Sequence, residues 1–171
     1  ILPKGLDHIL FILGLFLLSI KFRPLLLQVT MFTVAHSITL SLAMLGVFSL
    51  PANIVEPLIA LSIAYVGVEN IVTKTIKPSR LITVFVFGLL HGMGFASMLS
   101  DFGMPKDAFA AALIAFNVGV ELGQLTIIVI AFVSVAYWFR QKAWYRKAVV
   151  IPASFMISVI GLIWTYQRIA F

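Results

Sequence analysis

Apolar positions dominate this chain, and the short polar breaks between them set out its elements. Six long apolar stretches occur, at about 3–20, 25–50, 54–73, 81–100, 108–138 and 147–167. A hydrocarbon core about 30 Å thick is crossed by roughly 20 helical residues, so each stretch predicts a membrane-spanning helix. The breaks carry turn chemistry. Lys21-Phe22-Arg23-Pro24, Pro51-Ala52-Asn53, Lys77-Pro78-Ser79-Arg80 and Asp101-Phe102-Gly103-Met104-Pro105 all contain proline, which starts or stops helices. No break is long enough to hold a second domain. The expected fold is an all-α, polytopic transmembrane bundle of six helices in a single domain over residues 1–171.

Composition removes the soluble alternative. The chain is 62% hydrophobic and 11% charged, whereas a soluble domain is about half apolar and a quarter charged. It has no cysteine, which excludes disulfides and thiolate ligands. Any bound metal is therefore held by nitrogen and oxygen, a donor set suited to nickel, zinc or cobalt rather than copper(I) or an iron–sulfur cluster. The chain begins at Ile1 rather than methionine, as a trimmed or processed chain would.

A net charge of +6 would suggest nucleic acid were it not so unevenly placed. Nine of the twelve cations fall in three alternate breaks: Lys21 and Arg23; Lys74, Lys77 and Arg80; Arg140, Lys142, Arg146 and Lys147. Lys4, Lys106 and Arg168 remain for the other side, diluted by Asp101 and Asp107. The positive-inside rule then puts the three basic breaks in the cytoplasm and both termini outside it. Trp138 and Trp144 flank the third basic break, where an interfacial belt belongs. The expected location is the bacterial inner membrane, with lipid as a partner and nucleic acid not.

Against this background the polar residues inside the spans stand out. The three histidines, His8, His36 and His91, each lie within an apolar run. At 1.5 Å per residue from the nearest cytoplasmic break they sit at depths of about 19, 18 and 16 Å, one common level. Intramembrane ionisable groups are functional candidates, and Asp7 beside His8 adds a carboxylate. Asp7, His8, His36 and His91 form the expected metal site. Asn117, Glu121 and Gln124 share one helix face and, with Ser37, Glu69 and Asn70, line a pathway or support the ligands. Each signal also has a plainer explanation. A lone histidine can bond between helices, Glu121 with Asn117 can be interhelical glue, and Glu69-Asn70 can pair with cytoplasmic lysines. Glu56 can be a first-turn helix acid, and the phenylalanines and methionines lipid-facing or packing residues. Gly88, Gly92 and Gly94 around His91 allow close backbone approach.

The ordered stretches Gly5-Leu6-Asp7-His8-Ile9-Leu10-Phe11, Phe32-Thr33-Val34-Ala35-His36-Ser37, Val55-Glu56-Pro57, Val68-Glu69-Asn70, Gly88-Leu89-Leu90-His91-Gly92-Met93-Gly94 and Asn117-Val118-Gly119-Val120-Glu121 resemble the HupE/UreJ family of hydrogenase and urease accessory membrane proteins, in its second branch. The resemblance covers about residues 1–125; the second half of the fifth stretch and all of the sixth read as generic membrane helix. It implies a small membrane protein linked to nickel uptake, with Asp7-His8 as the first-helix metal motif and His36 and His91 as its later histidines. Family members usually carry a further histidine shortly before the Asp-His pair, which residues 1–6 lack.

Two functions from different classes use the same residues. The first is a divalent-metal permease, or an accessory protein handling nickel for metalloenzyme maturation, either alone or as a homo-oligomer. The second is a membrane-embedded zinc hydrolase with Glu121 as general base. A metal-sensing subunit and a bis-histidine haem protein are further readings. No nucleotide-binding motif is present to power transport.

Overall fold

The computed structural model describes residues 5–18, 21–101 and 109–170, without side-chain detail at 97, 98, 100, 101 and 109. Lys4, Lys106, Asp107, most of the turn at 101–105 and the edges of the first and fifth stretches lie outside them. The described residues form helices and no strands. In chain order these are α1 (Leu6–Leu18), α2 (Phe22–Met44), α3 (Ala52–Val72), α4 (Ser79–Asp101), α5 (Phe109–Ala131) and α6 (Ile151–Ala170). A π-helical segment, Phe132–Ala136, extends α5 into Tyr137–Phe139, and a second, Arg146–Val150, leads into α6. Five of these helical runs are long and apolar enough to cross a membrane. The protein is thus multi-pass. The exception is α1, whose 13 residues give a rise of about 20 Å.

Most boundaries follow the local chemistry anticipated above. Pro24 sits in the first turn of α2, where its missing N–H costs no helical bond. The main difference is the end of α2, expected near residue 50 and found at Met44. Gly46 takes a left-handed φ of 68°, and the N–H groups of Gly46 and Val47 turn back to the carbonyls of Ala43 and Leu42. A left-handed glycine just past the last turn is a helix stop, and it outweighs the apolar run Val47-Phe48 that continues beyond it.

Two helix pairs, α2 with α4 and α3 with α6, form the frame, and α1 packs against α2, α3, α5 and α6. Glycines set how close the frame helices come. Gly88 and Gly92, one turn apart on α4, meet the backbone of α2 at the Phe32 and His36 carbonyls. On the other pair, Gly67 of α3 faces Ser158 of α6, and Gly161 of α6 faces Ala64 of α3. Thr39 fastens the first pair by donating its hydroxyl to the Leu89 carbonyl at 2.7 Å. Between the pairs lies a core that includes Phe11, Ile12, Leu15, Val29, Phe32 and Ile63. Helix α5 is peripheral, with Val118, Leu122, Val129 and Ile130 facing outward, as lipid-facing positions do.

Each end of the described bundle carries an arginine turned inward onto a carboxylate, fully buried at Arg80 and half-buried at Arg168. At the end holding the basic breaks, Arg80 is 1% exposed. It donates to Glu69 at 2.7 Å, to Gln28 at 2.8 Å and to Asn70 at 3.4 Å. Asn70 in turn donates to the Gly14 carbonyl of α1 at 2.7 Å. Glu69 therefore pairs with Arg80, where a lysine was the sequence-based expectation, because α4 begins at Ser79 and turns Arg80 inward. Arg146 caps the C-terminus of α3 by donating to the carbonyls of Asn70, Ile71 and Thr73, where a cation meets the negative end of the helix dipole. At the opposite end Arg168, in the last turn of α6, holds Asp7 in the first turn of α1.

Candidate metal centre

His8 enters from the first turn of α1, His36 from the middle of α2 and His91 from the middle of α4. The close α2–α4 packing at Gly92 brings the last two backbones together, and α1 lays His8 across them. The His8 ring lies 5.5 Å from that of His36 and 4.9 Å from that of His91, both edge to face. His36 and His91 are fully buried. Phenylalanines wall the group: Phe32 stands 5.1 Å from His91 and 5.8 Å from His8. Phe11 is 5.1 Å from His91, and Phe95 is 5.4 Å from His8.

Hydrogen bonding accounts for little of this polarity. Among the described residues, both ring nitrogens of His8, both of His36 and Nδ1 of His91 are buried with no hydrogen-bond partner. Buried polar atoms are nearly always satisfied, so five orphaned nitrogens in three adjoining rings call for an explanation. The sixth, Nε2 of His91, lies 3.1 Å from the Ser62 hydroxyl. Ser62 directs its hydrogen to the Ile59 carbonyl at 2.7 Å, so Nε2 of His91 is the donor and Nδ1 keeps the free lone pair.

The other candidates divide into those near the rings and those apart. Asp7 is adjacent in sequence, yet both its oxygens are taken by Nη2 of Arg168, at 3.0 and 2.9 Å. Among the described residues, no three histidine, aspartate or glutamate side chains stand together as a ready metal-holding set. Asn117 approaches His36, but among the described residues its Oδ1 is buried without a partner while its amide nitrogen donates to the Leu113 carbonyl at 2.9 Å. Further along the same face of α5, Glu121 accepts from Thr30 at 3.1 Å and Gln124 from Thr33 at 3.2 Å. Ser37 bonds back to the Thr33 carbonyl of its own helix. Glu69 and Asn70 belong to the Arg80 network at the far end. A cleft of about 50 Å³ reaches the rings, lined by residues including Asp7, His8, Glu56, His91 and Arg168. His36 is not among its lining residues.

Sequence reasoning missed the phenylalanine walls, Ser62 as a partner of His91, and Arg168. A signal was present for the first: Phe11, Phe32 and Phe95 lie at +3, −4 and +4 from His8, His36 and His91, the same-face spacing of a helix. Nor is the last stretch generic. Ser154, Ser158 and Gly161 of α6 are its buried contacts with α3, a small-residue stripe that marks close helix packing.

These features define a multi-pass membrane protein with three imidazoles gathered between its helices, those of His36 and His91 fully buried. The chain matches the family described as HupE / UreJ protein over residues 1–168, and it belongs to that family. No curated protein and no solved structure matches it.

Proposed function

We propose that the protein is a membrane permease for a divalent cation, with nickel as its cargo and His8, His36 and His91 as its central ligands. The observation that carries this reading is the set of five buried imidazole nitrogens without hydrogen-bond partners. Neutral imidazole is a common ligand for such ions, and three helices each contributing one ring suit a site that must also let go. Asp7 supplies a carboxylate at the mouth. The orphaned Oδ1 of Asn117, then Glu121 and Gln124, continue a polar stripe along α5 toward the basic end. Family membership supports nickel over zinc as the cargo.

The hydrolase reading fares less well. A general base must reach a metal-bound water at about 3 Å. Glu121 instead pairs with Thr30, six residues from His36 and so about 9 Å along α2.

Purified protein loaded with nickel should carry close to one ion per chain by elemental mass spectrometry, and the His8/His36/His91→Ala variant none. Equal nickel in both would overturn the site. Ser62→Ala, which frees the His91 ring to turn, should weaken nickel binding by about 10–100-fold, since partners that orient a ligating histidine typically matter that much. Calorimetry reads this directly, and an unchanged affinity would remove Ser62 from the site.

The proposal includes six spans with both ends outside the cytoplasm of the bacterial inner membrane. Because the chain has no cysteine, single-cysteine variants can be labelled without background. Ser49→Cys should react with a membrane-impermeant maleimide added to intact cells, and Lys77→Cys only after the membrane is opened. The reverse pattern would invert the topology.

A further inference from the structure

We propose that Arg168 is a tethered competitor for the cation: it occupies Asp7 until a divalent ion displaces it, and so sets both the affinity and the release of the site. This rests on the histidine-site reading above. Three contacts fix the guanidinium. Nη2 donates to both oxygens of Asp7, at 3.0 and 2.9 Å. Nη1 donates to the Glu56 carbonyl of α3 at 3.0 Å. The guanidinium carbon also lies 5.6 Å from the centre of the Trp164 ring. The same cleft is lined by Asp7, His8, His91 and Arg168 together, so an ion in reach of two of the imidazoles is also beside the carboxylate that Arg168 holds.

Charge makes the two occupants exclusive. Asp7 is 8% exposed and, among the described residues, is paired with Arg168. A divalent ion bound by His8 and Asp7 would place two further positive charges beside the guanidinium, in a setting where charges are weakly screened. Exchange avoids this while leaving the buried carboxylate paired at every stage, which matters because an uncompensated buried charge is strongly destabilising. It also explains how a site with several imidazoles could release its ion: the returning guanidinium takes back the carboxylate. A monovalent ion, with half the charge, is a poorer match for that exchange. Arg168 thus acts as a positioning and selecting residue rather than a ligand. Because it also spans from α6 to the Glu56 carbonyl of α3, its displacement reports the arrival of an ion to the α3–α6 pair.

Zinc is the probe of choice, since a d10 ion leaves tryptophan emission unquenched. In a Trp138→Phe/Trp144→Phe background, Trp164 is the only tryptophan, and it lies against Arg168. Zinc titrated into this protein should shift Trp164 emission with the same midpoint as calorimetric binding. Arg168→Gln should bind zinc about tenfold more tightly, the loss of a competing charged hydrogen bond, and its Trp164 emission should no longer respond. Arg168→Lys keeps the charge, guards against a variant that fails to fold, and should fall between the two. If zinc binds the wild-type protein through its histidines but Arg168→Gln leaves the affinity unchanged and Trp164 stays silent, the competitor is overturned and the site survives. If zinc does not bind, both fall.

Discussion

Arg80→Met should destabilise the protein by about 3–5 kcal/mol, the usual cost of removing one member of a buried ion pair. The size follows from what the guanidinium touches. It joins α4 to Glu69 and Asn70 of α3 and to Gln28 of α2. Asn70 then carries the network to α1 at the Gly14 carbonyl. Without the arginine, the Glu69 carboxylate, 15% exposed, loses its counter-ion. Thermal unfolding in detergent gives the measurement. The Arg80→Met/Glu69→Leu double variant should recover much of the loss, because both charges leave together. A single variant that melts with the wild-type protein would mean that the network only fills space.

The second large effect concerns a single methyl group. Gly92→Ala should cost about 1–3 kcal/mol, the range for overpacking a tight interface. A Cβ at Gly92 would meet the His36 carbonyl and the Thr39 hydroxyl, and backbone cannot step aside as a flexible side chain can. The matched control is Gly119→Ala on α5, where an added Cβ meets nothing within 4 Å; it should be neutral or slightly stabilising. Since His36 and His91 are brought together by this packing, Gly92→Ala should also weaken nickel binding while Gly119→Ala does not. Equal behaviour of the two variants would show that α2 and α4 do not need their close approach.

The helices were legible in the sequence because hydrophobicity and proline act locally. Even the early end of α2 has a local signal in Gly46, though an apolar run hides it. The histidine level was legible for a similar reason: a helix converts residue number into depth at a fixed rate, so His8, His36 and His91 could be placed without knowing which helices touch. Lateral contacts have no such rule. Nothing in the order of residues says that Glu69 meets Arg80 rather than a lysine, or that Asp7 meets Arg168. Charge counting placed Arg80 in a basic break and Arg168 on the opposite side, because it sees position along the chain and not the direction of a side chain. The phenylalanines illustrate the same limit. Their spacing puts them on the histidine faces, but only the packing of α1 across α2 and α4 turns three separate pairs into one walled chamber.

The Asp7–Arg168 pair also bears on how the protein is made. Its members lie 161 positions apart, so during synthesis the carboxylate enters the membrane long before its arginine exists. The frame imposes a similar delay, because α2 must wait for α4 and α3 for α6. Insertion and assembly are thereby separated in time, with α1 left without its α6 partner until that helix arrives. A ribosome stalled before Arg168 would leave Asp7 without the guanidinium that holds it, so the α1 acid waits unpaired for the final turn of α6.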